Sequence, residues 1–254
     1  MSDLHAESRS NVLPWQSSYC TPPHKVLQAE PCSEFSEVLK LLRFDGPVRH
    51  LNDASLFRRW RLKAGQPVLG MGQTFDGLYV VRLGALRTSI TDVEGAEHVI
   101  AFPMKGDLLG SDGICHGKYM SHVCALTDCD LIRIPADELF AQERLCNDLE
   151  RLVYSAISRQ IIQEQSTYAL TNLPKTDVRV AHFLGIQADR FAAMGYSASQ
   201  FILPMTRRDI GSYLNVTLES VSRAFSVLCR LGIIAVNRRE VRILSRSALS
   251  RLGN

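Results

Sequence analysis

The stretch TRRDIGSYLNVTLESVSRAFSVLCRLG, residues 206–232, decides the fold of the C-terminal part of the chain. Thr206 can cap a first amphipathic helix, and Thr217 can cap a second one after a short turn. In both helices the apolar residues recur at helical spacing. The second helix ends at Gly232, a residue type that often follows a helix C-terminus. These features together predict a helix-turn-helix.

The second helix carries Glu219, Ser222 and Arg223 on its polar face, and these side chains can form hydrogen bonds with base edges in the major groove. Two β-prone runs follow, residues 233–236 and 241–244, around a basic turn. They predict a hairpin, called the wing below, that contacts the phosphate backbone. The residues expected at the DNA backbone are Thr206, Arg207, Arg208, Thr217, Ser220, Arg238 and Arg239. Helix pairs of this kind also occur in proteins that do not bind nucleic acid.

The charge distribution favours DNA binding. Residues 175–254 contain 12 Lys/Arg and 5 Asp/Glu, a net charge of +7, whereas residues 1–174 contain 17 and 21, a net charge of −4. The total of +3 therefore conceals a basic C-terminal third, as expected of a domain that neutralises phosphates.

Composition excludes several other classes of protein. The 254 residues are 46% hydrophobic, and no run approaches the roughly 20 apolar residues of a membrane span. The N-terminus lacks the apolar stretch of a secretory signal, so we expect a cytoplasmic protein whose seven cysteines are thiols or metal ligands. The sequence has no P-loop, Rossmann, G-x-S-x-G or H-E-x-x-H motif, and we therefore expect no enzymatic activity.

The pattern predicts an α+β protein in four parts. Residues 1–33 are expected to form a flexible arm, and residues 35–42 and 51–60 two short helices. Residues 34–135 alternate glycine-rich turns with β-prone runs, which predicts an antiparallel β-roll. The predicted strands are residues 77–83, 85–90, 98–102, 123–126 and 131–134.

Residues 136–173 are expected to contain a long dimerisation helix, since residues 136–170 lack both Gly and Pro. Its expected dimer contacts are Leu149, Val153, Ile157, Ile161 and Glu164. The charge of Glu164 interrupts the apolar stripe, as either a solvated flank residue or a charge that makes the dimer conditional. The alternative is a helix that packs only on its own domain. Residues 174–254 complete the winged helix-turn-helix domain.

This order of elements resembles the CRP/FNR family of bacterial transcription regulators, and its FNR branch in particular. Residues 77–110, residues 179–225 and the wing carry the resemblance, which extends over about residues 35–244. The run ESVSR at residues 219–223 is similar to the E-x-x-S-R recognition pattern of that branch. The resemblance implies a homodimer that reads a TTGAT-like palindrome, with Arg223 on a guanine, and that contacts RNA polymerase.

The resemblance does not identify the signal. Members that bind cyclic AMP carry an Arg where this chain has residues 109–116, LGSDGICH, and Asp112 would repel a phosphate there. Cyclic AMP is therefore not expected. FNR-like proteins hold an iron–sulfur cluster on four cysteines, whereas the arm offers only Cys20 and Cys32, without their tight spacing. Cys20, Cys32 and Cys115 stay open as ligands of a metal centre or as thiols of a redox switch.

Two other functions stay open from the sequence alone. The first is a ligand-binding β-roll whose helical C-terminal part contacts proteins instead of DNA. The second is a metalloenzyme with Cys and His ligands. The basic C-terminal third and Arg223 favour the regulator over both.

Overall fold

The computed structural model describes residues 31–44, 46, 56–140 and 145–252, and the side chains of residues 145–147 are not described. Most of the predicted arm, including Cys20, therefore lies outside the described residues. The β-roll part contains β1 (Cys32–Glu34), α1 (Phe35–Leu41), β2 (Leu56–Leu62), β3 (Pro67–Leu69), β4 (Gly77–Leu83), β5 (Leu86–Thr91), β6 (Glu97–Ala101), β7 (Leu108–Leu109), β8 (His122–Ala125), β9 (Cys129–Pro135) and α2 (Ala136–Phe140). The rest contains α3 (Leu145–Thr171), α4 (Thr176–Ala193), β10 (Gln200–Ile202), α5 (Arg207–Leu214), α6 (Leu218–Arg230), β11 (Ile234–Asn237), β12 (Glu240–Ile243) and α7 (Arg246–Arg251).

Two antiparallel sheets form the β-roll. One has the strand order β1-β2-β9-β4-β7 and the other the order β3-β8-β5-β6. Strand β4 is a nearly continuous apolar run because both of its faces are buried. Tyr79 and Val81 pack between the sheets, whereas Leu78 and Val80 pack in a second core with α1 and α3. The predicted β-roll is therefore confirmed, and the five predicted strands correspond to β4, β5, β6, β8 and β9.

Strand β2 corrects one prediction, because residues 56–60 are a strand and not part of a helix. Arg59 of β2 pairs with the buried Asp130 of β9, and Arg82 of β4 contacts the same carboxylate at 3.3 Å. Glu37 of α1 accepts a hydrogen bond from Arg82 at 2.6 Å. These ion pairs join three strands and a helix, so tertiary contacts override the helical appearance of the local sequence.

The predicted long helix is present as α3 (Leu145–Thr171), which has 27 residues. Residues 136–140 form α2, and residues 141–144 lie outside the described residues. Leu139 of α2 is buried in the same core as Leu149 and Leu152 of α3. Both α2 and the first turns of α3 are therefore held against the β-roll by one core. No helix in the described ranges is both long enough and apolar enough to cross a membrane.

The C-terminal part packs α4, α5, α6 and α7 around a three-stranded sheet of order β10-β12-β11. Its core includes Phe183, Leu184, Leu214, Phe225 and Leu228. The predicted pair α5 and α6 and the hairpin β11–β12 are present, so the winged helix-turn-helix is confirmed as a fold.

Candidate nucleic-acid interface

The helix-turn-helix is held by the two threonine caps expected from the sequence. Thr206 forms a capping box with Asp209, whose backbone N–H donates to Thr206 Oγ1 at 3.1 Å. Thr217 Oγ1 accepts from the Ser220 backbone N–H at 3.2 Å. Between the helices, the α5 backbone approaches the turn so closely that a Cβ on Gly211 would lie 2.7 Å from the Val216 carbonyl oxygen. Only glycine fits there without displacing the turn.

Helix α6 has one buried and one exposed face. Val221, Ala224, Phe225 and Leu228 are buried in the core, as its spacing predicted. The expected base-reading residues Glu219, Ser222 and Arg223 are all exposed on the opposite face. The helix therefore presents three hydrogen-bonding side chains to solvent, while its opposite face is held by packing in the core.

The polar groups at the start of α6 interact with one another. Arg223 Nη2 donates to Ser220 Oγ at 3.4 Å. Hydrogen bonds from its own backbone N–H and from Thr217 lower the pKa of the Glu219 carboxyl, and the charges of Arg223 and Arg208 lower it further. Glu219 is therefore a carboxylate at neutral pH, which can accept from a base amino group but cannot donate. Arg208 is exposed next to this surface.

Arg207 differs from the expectation. Its guanidinium lies over the Phe225 ring, 3.0 Å from the ring centre, and its Nη1 atom is buried without a hydrogen-bond partner among the described residues. Burial lowers the pKa of Arg207 to about 10. A guanidinium packed on the core side of α6 is not presented to a phosphate, so Arg207 does not belong with the predicted backbone contacts. The sequence does not distinguish these neighbours, because Arg207 and Arg208 are adjacent and both basic.

The wing places its two arginines differently. Arg238 is exposed at the hairpin tip, with φ of 55°. Arg239 is also exposed, but its Nη1 donates to the Pro204 carbonyl oxygen at 3.1 Å. Arg238 is thus presented to solvent, whereas Arg239 also ties the wing to the segment that precedes α5.

The predicted dimer contacts separate into two groups. Leu149 and Val153 are 6% and 4% exposed and pack in the core of their own chain, whereas Ile161 is 47% exposed. Residues four apart advance by about 400° around a helix, so a stripe with this spacing rotates by about 40° at each step. Leu149 and Val153 are therefore not available to a second subunit. Ile157 is half-buried, and Ile161 and Glu164 are exposed.

The cysteines do not come together as a metal centre in the described part of the chain. Cys32 lies in β1 and Cys115 in an exposed loop after β7, and Cys20 is outside the described residues. No three His, Cys, Asp or Glu side chains in the described ranges lie close enough to hold a metal ion. The described residues thus do not assemble the four thiolates of a [4Fe–4S] cluster.

In the loop of residues 109–116, which the resemblance aligns with a phosphate-binding segment, Asp112 accepts hydrogen bonds from its neighbours. Ser121 Oγ and the Met120 backbone N–H donate to Asp112 Oδ2 at 2.6 and 3.2 Å. These bonds stabilise a carboxylate where a cyclic nucleotide would require a positive charge. The absence of cyclic AMP binding stays a prediction from the sequence.

Contacts between the β-roll and the helix-turn-helix were missed by sequence reasoning. The Val99 backbone N–H donates to Ser212 Oγ at 2.9 Å, and Arg190 of α4 pairs with Asp107. Phe102 of the β-roll also packs against the rings of Phe183 and Tyr213. The sequence gives no sign of these pairs because their partners lie more than 80 residues apart.

Comparison with known proteins agrees with this architecture. Residues 59–142 match the cyclic nucleotide-binding domain family, and residues 178–252 match the Crp-like helix-turn-helix domain family. The transcriptional regulatory protein btr of Bordetella pertussis is 33% identical over 200 residues, which cover 79% of this chain and 83% of btr. The transcriptional activator protein FnrA of Stutzerimonas stutzeri is 36% identical over 192 residues, 75% of this chain and 78% of FnrA. The structure of FixK2 from Bradyrhizobium japonicum superposes with a TM-score of 0.70 at 25% identity, covering 79% of this chain and 98% of FixK2.

Proposed function

This chain belongs to the CRP/FNR family of DNA-binding transcription regulators, and we propose that it acts as a homodimer whose two α6 helices read a TTGAT-like palindrome. The observation that carries this proposal is that α6 is buried on one face and exposed on the other. Glu219, Ser222 and Arg223 are exposed while the opposite face of the same helix is packed in the core. Such a helix can enter the major groove without losing its support.

Each base-reading residue has a distinct role in the proposal. Arg223 donates two hydrogen bonds to guanine O6 and N7, and the Glu219 carboxylate accepts from a cytosine amino group. Ser222 contacts a neighbouring base. Around them, the backbone contacts come from Thr206, Arg208, Thr217, Ser220, Arg238 and Arg239, with Arg207 left out because its guanidinium packs on Phe225.

The second subunit would bind along the outer face of α3, which we define as Tyr154, Ile157, Ile161, Glu164 and Tyr168. Tyr154, Ile161 and Tyr168 are 66%, 47% and 72% exposed. The five residues of this face are spaced alternately three and four positions apart. This is the pattern by which two helices pack along a shared apolar stripe. Glu164 places a charge within that stripe, so its protonation or pairing would affect the stability of the dimer.

The classes of signal and the further partner in this proposal rest on the resemblance to the FNR branch. The resemblance to the FNR branch supports oxygen, redox state or a small effector as the signal, and RNA polymerase as a partner at the promoter. The effector must bind one arrangement of the dimer more tightly than another in order to act. A protein that acts on the chromosome of a bacterium is expected in the cytoplasm.

The test is the affinity of the full chain for a TTGAT palindromic duplex and for a scrambled duplex, measured by fluorescence anisotropy as a function of salt. Specific binding should exceed nonspecific binding by about a thousandfold or more. For six phosphate contacts, affinity should fall by about a thousandfold between 50 and 200 mM salt. Equal, salt-independent binding of both duplexes would contradict the proposal and favour a ligand-binding β-roll that contacts proteins.

A further inference from the structure

The segment between α3 and α4 is joined to the turn of the helix-turn-helix by one guanidinium. Arg179, in the first turn of α4, donates from Nε to the Leu173 carbonyl oxygen at 2.6 Å. Its Nη1 donates to the Leu214 carbonyl oxygen at 3.0 Å and, more weakly, to the Asn215 carbonyl oxygen at 3.5 Å. Leu173 lies just after the end of α3, and Leu214 is the last residue of α5. The Arg179 side chain therefore connects two segments that are distant in the sequence.

The carbonyl groups that accept from Arg179 Nη1 belong to the C-terminus of α5. The last carbonyl groups of a helix have no N–H partner within the helix, and they form the negative end of its dipole, so a cation is favoured there. Asn215 has φ of 53° and reverses the chain direction at this point. Thr217, the cap of α6, follows almost at once. Arg179 thereby holds the backbone from which α6 begins.

A second hydrogen bond joins α3 itself to α5. Thr167 Oγ1 and the Tyr213 hydroxyl oxygen are 2.6 Å apart. Tyr213 directly precedes Leu214, so this bond and the Arg179 contact reach the same end of α5. Tyr168, the next residue of α3, is 72% exposed and belongs to the outer face of α3. The end of α3 therefore contacts the helix-turn-helix on one side and is open to a second subunit on another.

In a dimer that forms along α3, the position of α6 relative to α3 determines how far apart the two α6 helices lie. Helix-turn-helix dimers read half-sites whose centres are about 10 to 10.5 base pairs apart, one turn of DNA. One added or removed base pair moves a half-site by about 3.4 Å along the DNA axis and rotates it by about 35°. A protein that holds α6 firmly should therefore discriminate between spacings, whereas a protein with a loose turn should not.

We propose that Arg179 is a positioning residue that sets the half-site spacing of the DNA that this chain reads. The proposal rests on the proposed function, because spacing matters only to a dimer that reads two half-sites. Arg179 acts through the backbone ahead of α6 and contacts no base. Its planar guanidinium presents two donors in a fixed geometry to the Leu173 and Leu214 carbonyl oxygens, which a lysine ammonium does not reproduce. Without this contact, α6 keeps its base-reading residues but shifts more freely relative to α3.

The test measures the affinity of the full chain for a series of palindromic duplexes by fluorescence anisotropy. The centres of the two TTGAT half-sites are placed about 8 to 13 base pairs apart, in steps of one base pair. The unmodified chain should prefer one spacing over its neighbours by about tenfold or more, because a wrong spacing requires the DNA or the protein to deform.

Arg179→Met keeps the alkyl chain and removes the hydrogen bonds to all three carbonyl groups. The preference for one spacing should fall by about three- to tenfold, since hydrogen bonds from a charged donor are among the stronger ones. Substitution of one base pair within TTGAT, at the preferred spacing, should cost the variant the same factor as the unmodified chain. A residue that served only the stability of the fold would not produce this separation of spacing from base recognition.

Two further variants serve as controls for charge and for the loss of an arginine. Arg179→Lys keeps a positive charge at the C-terminus of α5 without the planar donor pair, so it should lose the spacing preference as Arg179→Met does. Arg246→Met removes another guanidinium that is anchored on α4, through the Gly185 carbonyl oxygen and the Asp189 carboxylate. Both of these partners belong to α4 itself, so this variant should keep the spacing preference of the unmodified chain.

The proposal is overturned if Arg179→Met or Arg179→Lys keeps the full spacing preference, or if Arg246→Met loses it as well. An equal loss of affinity at every spacing in Arg179→Met, with a lower melting temperature, would also overturn it and assign Arg179 to stability. If Arg179→Met does not fold, the spacing profile of Arg179→Lys decides.

The unmodified chain separates this proposal from the proposed function. Preference for TTGAT over a scrambled duplex, with all spacings bound equally, would reject the role of Arg179 and leave the DNA-reading proposal intact. Equal binding of TTGAT and scrambled duplexes at every spacing would reject both proposals.

Discussion

Arg87 of β5 lies 3.2 Å from the Asp209 carboxylate of α5 and thereby joins the β-roll to the helix-turn-helix. The same carboxylate accepts from the backbone N–H of Thr206 at 2.7 Å, so it also belongs to the capping box of α5. Arg87 is further held by Glu97 of β6 at 2.9 Å. One carboxylate therefore stabilises the first helix of the helix-turn-helix and ties that helix to β5 of the β-roll.

Substitution of this arginine is expected to loosen the contact between the two parts. In Arg87→Met the alkyl chain is kept and the ion pair is lost, so the Val99 and Ser212 backbone amides should exchange hydrogen faster by about two- to fivefold. The expected change is modest because the pair is partly exposed to solvent. Hydrogen exchange with mass spectrometry measures it.

Arg61→Met serves as the matched control, since Arg61 is an exposed arginine of β2. It should leave exchange in β6 and α5 unchanged. Equal exchange in the Arg87 and Arg61 variants would mean that the Arg87–Asp209 pair does not hold the helix-turn-helix on the β-roll.

Arg207 and Arg208 are adjacent arginines with different surroundings, and substitution should separate their roles. Arg207→Met keeps the contact with Phe225 and removes a half-buried charge, so DNA affinity should change less than twofold and the free energy of unfolding by less than about 1 kcal/mol. Arg208→Met should weaken binding to every duplex by about three- to tenfold. Anisotropy titrations and thermal melts check both, and a larger loss of affinity for Arg207→Met would show that it does contact phosphate.

The wing arginines are expected to act on affinity without changing specificity. Arg238→Ala should weaken binding to the palindromic and scrambled duplexes by the same factor and reduce the salt slope by about one for each subunit. Arg239→Ala should have a similar effect and should also loosen the wing, since Arg239 donates to the Pro204 carbonyl oxygen. A change in the ratio of the two affinities would instead place the wing at base edges.

Substitutions on the outer face of α3 are expected to change the oligomeric state. Ile161→Glu should convert a dimer to a monomer in sedimentation experiments, because it places a charge in the exposed apolar stripe. Gln163→Glu adds the same charge on another side of the helix and should leave the dimer intact. Glu164→Gln should tighten the dimer by removing like charges that face each other. A dimer that survives Ile161→Glu would exclude this face as the interface.

Sequence reasoning located the parts of the molecule that depend on local pattern. The caps Thr206 and Thr217 and the exposed residues of α6 follow from helical periodicity, since that helix is buried on one side only. The strands around the glycine turns follow in the same way. Each of these features is determined by residues that lie within the same helix, strand or turn.

The remaining features depend on contacts between distant residues. Strand β2 is fixed by the pairing of Arg59 with Asp130, 71 residues away. The inward position of Leu149 depends on how α3 lies on the sheet, and the packing of Arg207 depends on Phe225 behind it. A single sequence contains these residues but does not indicate that they meet.

The measurement that tests the central claim most directly is the ratio of affinities for the TTGAT palindrome and the scrambled duplex, compared between the unmodified chain and Arg223→Ala. Arg230→Ala, at the other end of α6, is the matched control. Loss of the guanine contact should lower the ratio by about tenfold or more in Arg223→Ala, with sedimentation and melting temperature unchanged, while Arg230→Ala keeps the ratio of the unmodified chain. An unchanged ratio in Arg223→Ala would contradict the assignment of α6 as the helix that reads DNA.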